Sequence, residues 1–151
     1  MVARREGDED RIALALNLEL SGGRPGASAR IELRDRAAGR VALFALRGWL
    51  DRAAVARLGR AVDDLSARGV EQLLLDCSQV RHIDYRTVPA LVEALARFES
   101  RAGGFVVCGL SSYLRDVFRL AGCEPRLRCW PTAADFLAAP VPCESGRECA
   151  S

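Results

Sequence analysis

The sequence has no lysine and only one histidine, and these absences exclude several kinds of chemistry. All of its basic side chains except His82 are arginines. Phosphate binding through a P-loop lysine and Schiff-base catalysis are therefore excluded. A Ser-His or Cys-His nucleophile pair would have to use His82. That residue lies between a predicted strand and the next helix, where a surface or capping role is more common.

Other signatures of catalysis are missing as well. There is no G-x-S-x-G elbow, no G-x-G-x-x-G after a strand and no C-x-x-C pair. Asp76 and Asp84 do not make an obvious carboxylate pair, because one ends a predicted strand and the other opens a helix. We therefore predict a protein that is not an enzyme, with no catalytic residue and no cofactor. An enzyme with an unfamiliar site is retained as the third hypothesis, after the two binding hypotheses given below.

The charge and hydropathy of the sequence limit the kinds of partner and the cellular location that we expect. The formal net charge is +2, and acidic and basic residues are interspersed. Since no basic stripe alternates with aromatic residues, we predict no nucleic-acid binding. No apolar run approaches the ~18 residues of a membrane span, and the first residues contain no apolar core typical of a signal peptide. We therefore expect a cytoplasmic protein.

The six cysteines are expected to be reduced in that compartment. Four of them lie in or beside apolar segments and are interpreted as small core residues: Cys77, Cys108, Cys123 and Cys129. Cys143 and Cys149 lie in a polar tail, where their spacing could close a disulfide loop or contribute to a metal site. Because there is no second pair and no nearby histidine, we predict no metal site.

The chain divides into an extension, one domain and a tail. Residues 1–28 are predicted to be a partly flexible N-terminal extension with an extra strand at 11–20, residues 29–139 the domain, and residues 140–151 a flexible tail. Half of the residues are hydrophobic, so the domain can bury a core.

Within the domain, short apolar runs alternate with helical patterns. Ile31 and Leu33 alternate with polar residues, Val41, Leu43 and Ala45 occupy alternate positions of VALFALRG, and the two runs predict an antiparallel hairpin. The continuous run Leu73–Leu75 predicts a strand buried on both faces. Two further strands are predicted at 105–110 and 127–130, and a short last helix at 132–139.

Three longer helices are predicted from apolar residues at three- and four-residue spacing. Their inward residues are Val55, Leu58, Val62 and Leu65; Val88, Leu91, Val92, Leu95 and Phe98; and Leu114, Val117, Phe118 and Leu120. Because strands separated by helices need crossover connections, the inner part of the sheet should be parallel. The prediction is a single α/β domain with a mixed sheet of about four to five strands and about four helices.

Three segments of the domain carry a shared signature. They are Gly48–Asp51 (GWLD), Asp76–Val80 (DCSQV) and His82–Thr87 (HIDYRT). In order and spacing they resemble the motifs G-x-L-D, D-x-S-x-V and x-I-D-S-[ST]-G of the STAS family, whose prototypes are bacterial anti-sigma-factor antagonists. The similarity extends over roughly residues 30–138.

The resemblance implies a mixed-sheet domain that binds protein partners through the loop after the central strand and the second helix. In the antagonists, a serine shortly after the motif aspartate, at the position of Arg86 in this chain, is phosphorylated by a partner kinase, which is itself the anti-sigma factor. The unmodified form binds that kinase and frees the sigma factor. A phosphate adds about −1.5 to −2 charges and can disrupt a fitted interface.

The sequence differs from the family motif at the position of the phosphorylated serine. Asp84 is kept, but Tyr85 and Arg86 occupy the two hydroxyl positions and Thr87 replaces the glycine. Arg86 cannot accept a phosphate from a serine kinase, and its positive charge does not imitate phosphoserine. Thr87 is the phosphorylation candidate that remains. A threonine there is also a good N-cap, and Pro89 is tolerated in the first turn of a helix that begins later than Asp84.

From the resemblance we predict a non-catalytic module that docks a kinase-like anti-sigma factor or a related signalling partner. Docking is expected through the Asp76–Pro89 loop and the second helix, without the usual serine phospho-switch. The predicted partner-binding residues are Asp51, Asp76, Ser78, His82, Asp84, Tyr85, Arg86 and Thr87.

These residues are expected to act in different ways. Asp76 and Ser78 should shape the loop by hydrogen bonds to backbone amides. Tyr85 and Arg86 are either interface anchors or ordinary loop residues. The alternative function is a STAS subunit of a larger assembly, either a stress-signalling complex or a lipid-transport ATPase. A homodimer is left open.

Overall fold

The computed structural model describes residues 10–20, 26–37, 39–123 and 129–130. Its strands form one sheet whose spatial order follows the chain: β1 Asp10–Glu19, β2 Ala27–Arg36, β3 Gly39–Leu50, β4 Gln72–Ile83, β5 Gly104–Cys108 and β6 Cys129–Trp130. The helices in this part of the chain are α1 Arg52–Ser66, α2 Val88–Arg101 and α3 Ser112–Leu120, and a 3₁₀ turn spans Tyr85–Thr87.

The sheet is mixed, as predicted. β1, β2 and β3 pair antiparallel, whereas β3, β4, β5 and β6 pair parallel. The hairpin predicted from the alternation around Ile31 and Val41 is the β2–β3 pair. The α/β class is confirmed. The strand predicted at 11–20 is β1, which joins the same sheet, and the fourth helix predicted at 132–139 lies outside the described residues.

The apolar stripes of the three helices pack against one face of the sheet. Leu58 of α1, Leu95 of α2 and Leu114 of α3 all belong to one buried cluster, together with Leu73 and Leu75 of β4. The intervening side chain of β4, Leu74, belongs to a second small cluster. Successive strand residues point to opposite faces, so the prediction that this run is buried on both faces is confirmed.

Two details of the prediction are corrected. Leu120 was assigned to the core, but it is 79% exposed, and it is the last residue of α3. β4 was expected to end near Asp76, yet it continues to Ile83, since residues up to Ile83 pair with β3. The Asp76–Pro89 segment is therefore a strand extension, a 3₁₀ turn and the start of α2 rather than a loop.

The cysteines in the described region behave as predicted. Cys77, Cys108 and Cys123 are buried thiols. The predictions for the side chains of Cys129, Cys143 and Cys149 lie outside what the structure describes.

Candidate functional site

The candidate site lies where the parallel strands β3 and β4 end side by side. The N–H of Asp84 donates to the carbonyl of Leu50 at 3.1 Å, which ties the two strand ends together. Asp51 follows Leu50 and caps α1, because its Oδ1 accepts a hydrogen bond from the N–H of Ala54 at 2.9 Å. Two of the sequence-predicted residues, Asp51 and Asp84, are thus brought together at the carboxyl edge of the sheet, where open α/β sheets commonly bind their partners.

Asp84 organises the turn that follows it. Its Oδ1 accepts a hydrogen bond from the N–H of Arg86 at 3.0 Å, and its carbonyl accepts one from the N–H of Thr87 at 2.8 Å. These bonds close the 3₁₀ turn Tyr85–Thr87 and leave the side chains of Tyr85 and Arg86 pointing away from the core. An aspartate at this position is therefore explained by local backbone geometry.

The charge of Arg86 is matched within the same turn. Its Nε and Nη2 donate to the two carboxylate oxygens of Asp84 at 3.2 and 3.1 Å, in a bidentate pair. The side-chain and backbone hydrogen bonds from Arg86 lower the pKa of Asp84, and the nearby charge of Arg52 acts in the same direction. The carboxylate is therefore charged throughout the neutral range, and the guanidinium that it binds is 68% exposed to solvent.

Thr87 is withdrawn from the surface. It is 5% exposed, and its Oγ1 donates to the carbonyl of Asp84 at 2.7 Å. Thr87 occupies the N-cap position of α2, as predicted, but its side chain makes no capping hydrogen bond, because the hydroxyl donates back into the turn. Pro89 lies in the first turn of α2, as predicted, because that helix begins only at Val88.

Aromatic side chains converge on His82, next to the turn. His82 Nδ1 and the hydroxyl of Tyr113 are hydrogen-bonded, and the two rings stack at 5.7 Å between centroids. The ring of Trp49 also contacts His82, with 5.1 Å between the ring centroids and a tilt of 56°. Three rings, from β3, β4 and α3, therefore meet at this edge of the sheet.

We call the aromatic surface the set Trp49, His82, Tyr85, Tyr113 and Leu120. Seven large apolar side chains are exposed in the described part of the chain, and four of them belong to this surface. His82, Tyr85, Tyr113 and Leu120 line a groove of about 550 Å³ between the 3₁₀ turn and α3. A concentration of exposed aromatic and aliphatic groups is a mark of interaction sites.

A second depression lies on the other side of the turn, between α1 and α2. We call it the arginine groove; it has a volume of about 400 Å³, and its charged lining residues are Arg52, Arg60, Asp63, Arg86, Glu93 and Arg97. Arg97 is paired with Asp63 across the groove at 3.2 Å. Tyr85 therefore faces one depression and Arg86 the other, so the turn is a ridge between an apolar and a charged groove.

Asp76 and Ser78 lie apart from the turn. Asp76 Oδ1 accepts a hydrogen bond from the N–H of Ser78 at 3.0 Å, which is the kind of bond expected of Asp76; it uses the backbone of Ser78, so the role of the Ser78 hydroxyl stays a prediction. Both residues are in β4, and about four strand residues at roughly 3.3 Å each separate Ser78 from His82. Gly109, with φ +74°, packs against them: a Cβ there would lie 2.7 Å from the nitrogen of Ser78.

The described residues contain no cluster of three or more histidine, cysteine or acidic side chains that could hold a metal ion. Within the same ranges, none of the helices combines the length and the hydropathy needed to cross a membrane.

We compared the chain with a family model, with curated sequences and with solved structures. A family model described as "Mlab, STAS domain" matches residues 33–128. No curated protein sequence matches the chain. Among solved structures, the anti-sigma factor antagonist SpoIIAA in its unphosphorylated form is similar with a TM-score of 0.57 and 21% identity, over 71% of this chain and 92% of that chain.

Two further structures are similar. An anti-sigma factor antagonist from Mycobacterium paratuberculosis has a TM-score of 0.58 and 22% identity, over 76% of this chain and 94% of that chain. The murine anion transporter solute carrier 26 family member A9 has a TM-score of 0.57 and 18% identity, over 69% of this chain but only 18% of the transporter. At these identities the likeness shows a common fold.

Proposed function

This chain belongs to the STAS family, and we propose that it is a non-catalytic regulatory module that binds a protein partner through the aromatic surface and the Tyr85–Thr87 turn. The observation that carries the proposal is the ridge itself. Arg86 is bound to Asp84 by hydrogen bonds, and Tyr85 lies on the same turn between the two grooves, so a partner can contact both side chains without rearranging the fold. Tyrosine, tryptophan and arginine are the residues most often found as energetic anchors of interfaces.

The proposed partner is a kinase-like anti-sigma factor or a related signalling protein. Two similar structures are anti-sigma factor antagonists, and the three sequence motifs of this chain resemble theirs. The structural positions agree with such a role, because Asp51, His82 and Asp84 all lie at the same edge of the sheet as the ridge. The cytoplasmic location predicted from the sequence is part of this proposal.

We further propose that binding is not controlled by phosphorylation of the turn. Arg86 occupies the position where the antagonists have their serine, and it is already paired with Asp84. Thr87 is 5% exposed and its hydroxyl donates to the carbonyl of Asp84, so phosphate transfer to it would break a hydrogen bond of the turn.

A second candidate function is that of a STAS subunit in a larger assembly. The family description names Mlab, and the murine anion transporter has this fold in 18% of its length. In such an assembly the same ridge would contact a neighbouring subunit, and no phosphorylation would be needed.

Photo-crosslinking tests the proposed function and separates the two candidates. The photoreactive amino acid p-benzoylphenylalanine replaces Tyr85 in cells of the source organism, and the adducts are identified by mass spectrometry. A control chain carries it at Arg68, which is exposed beyond the far end of α1, at the opposite end of the sheet.

We expect a protein adduct at position 85 that is absent at position 68. A kinase-like anti-sigma factor in the adduct supports the leading candidate, whereas a subunit of a transport ATPase or a stress-signalling complex supports the second. If the two positions give the same set of adducts, the ridge is not a docking site and the proposal fails.

A further inference from the structure

The arginine groove contains two guanidinium groups that its own ion pairs do not use. Arg52 and Arg60 line the groove on the α1 side, and both are exposed. Within the described part of the chain, neither guanidinium makes a hydrogen bond or an ion pair. A guanidinium presents a planar set of N–H donors that matches the geometry of a carboxylate. These two side chains are therefore free to bind an anionic group from outside.

The other side of the groove is also positive. Arg86 and Arg97 each use Nε and Nη2 to bind one aspartate, so most of their N–H donors remain outside those pairs. The acidic residues of the lining are Asp63 and Glu93, and Asp84 lies just outside it. Four arginines therefore exceed the acidic groups around them even when Asp84 is counted.

The spacing of the arginines fits an extended chain better than a single small anion. Arg52 and Arg60 are eight residues apart on α1, so they are separated by about 12 Å along the helix axis. A lone phosphate or carboxylate reaches only one end of that span. An extended peptide advances about 3.3 Å per residue and covers it with about four residues, and its alternate side chains point to the same side.

Small residues form the floor of the groove. A Cβ built at Gly59 would lie 3.6 Å from the Cβ of Ala94, which shows how closely α1 and α2 approach each other. Ala56 and Ala90 also line the groove. The floor therefore has no pocket for a large apolar anchor, in contrast to the groove of the aromatic surface. Binding here has to come from charge and from contact with a peptide backbone.

We propose that the arginine groove binds an extended acidic segment of the protein partner, with Glu or Asp side chains against Arg52, Arg60 and Arg86. This inference rests on the proposed function, because the groove begins at Arg86 on the ridge that contacts the same partner. It adds the chemistry of that partner: a run of acidic residues beside an apolar element that contacts Tyr85. Attraction between exposed charges speeds association and weakens as salt is added.

Nuclear magnetic resonance of the full ¹⁵N-labelled chain tests the chemistry of the groove without the partner. The probe is a capped octapeptide of alternating glutamate and serine, and the neutral probe has glutamine in place of glutamate. We expect only the acidic peptide to shift the resonances of the groove residues at low salt. Arg60→Glu should abolish these shifts. Arg57→Glu, on the same helix but outside the groove, should preserve them.

Other results of this titration overturn the proposal. They are the absence of shifts with the acidic peptide, equal shifts with the neutral peptide, and equal loss of the shifts in the Arg57→Glu control. Equal shifts with inorganic phosphate at the same concentration would instead show a site for small anions. Stronger binding of an oligodeoxythymidylate of eight nucleotides would show a site for single-stranded nucleic acid.

The partner trapped at position 85 gives the second test. Arg52→Glu/Arg60→Glu should raise its dissociation constant at least about tenfold and reduce the salt dependence, since each reversal replaces an attraction by a repulsion. Arg57→Glu/Arg68→Glu changes the net charge equally and should have little effect. Circular dichroism checks that both chains fold.

The two tests separate this inference from the proposed function. An adduct at position 85 together with unchanged affinity of Arg52→Glu/Arg60→Glu keeps the ridge as the docking site and overturns the acidic segment. Binding of the acidic peptide in the groove without a specific adduct at position 85 supports the chemistry of the groove and rejects the ridge.

Discussion

Replacing Tyr85 and Arg86 together by alanine is expected to abolish capture of the protein partner, while the free energy of unfolding stays within about 1 kcal/mol of the wild type. Tyr85 is 54% exposed, and the side chain of Arg86 is 68% exposed, so neither supports the core. At an interface, however, they would supply an aromatic face to one groove and a planar set of donors to the other. The measurement is a pull-down of the partner identified by crosslinking, beside thermal unfolding of both chains.

A matched control separates loss of docking from loss of an exposed ion pair. Arg68 also makes an exposed ion pair, to Asp64 at 2.9 Å through its Nε, and it lies far from the ridge. Arg68→Ala should leave capture unchanged. Unchanged capture by the Tyr85→Ala/Arg86→Ala chain, or an equal loss in the control, would show that the ridge is not the docking surface.

Gly48→Ala is expected to destabilise the fold more than any exposed substitution, by about 3 kcal/mol or more. Gly48 has a φ of +91°, and a Cβ there would lie 1.7 Å from the carbonyl oxygen of Gly26. That oxygen accepts the hydrogen bond from the N–H of Trp49 at 2.6 Å, so it cannot move away without losing this bond. The clash therefore disturbs both the β2–β3 pair and the base of the aromatic surface.

Urea unfolding checks this value, with Gly69→Ala as the control. Gly69 also has a positive φ, +85°, but no atom lies within 4 Å of a Cβ built there. Gly69→Ala should lower the free energy of unfolding only by the cost of placing alanine at a positive φ, about 1–2 kcal/mol. Equal losses for the two variants would mean that the contact with Gly26 can relax, and that the backbone at Gly48 is not constrained in the way described.

The helices could be predicted from the sequence because each has an uninterrupted apolar stripe facing one sheet. Leu58, Leu95 and Leu114 recur at helical spacing with their neighbours and are buried. The error at Leu120 has a physical cause: its spacing after Val117 fits the stripe, but the helix ends at that residue. Periodicity describes which side of a helix is apolar and does not show where the opposing surface stops.

The end of β4 was not predictable in the same way. After Asp76 the strand pairs with β3 alone among the described residues, because β5 ends at Cys108 opposite Asp76. Ser78 and Gln79 are therefore exposed and polar, a composition that is also typical of a loop. Val80 and Ile83 are buried, but their spacing of three residues does not have the two-residue period of a strand, so it did not indicate that the strand continues.

The site was predictable in part. Asp51, Asp84 and the ridge follow from motifs that are local in sequence. Tyr113 was missed because its contact with His82 joins positions 31 residues apart, and this contact depends on how α3 packs beside β4. The one available signal was a tyrosine off the apolar stripe of α3, which a sequence pattern alone does not distinguish from an ordinary surface residue.

The most direct test of the central claim measures whether docking at the ridge is independent of phosphorylation. The partner trapped at position 85 is purified, its affinity for the chain is measured before and after incubation with Mg²⁺ and ATP, and the chain is examined by mass spectrometry. Arg86→Ser, which restores a serine at the position where the antagonists have theirs, is the positive control for a partner with kinase activity. We predict an unchanged affinity and no phosphate on Thr87 of the wild type. Phosphate on Thr87 together with loss of binding would contradict this account and restore a phospho-switch.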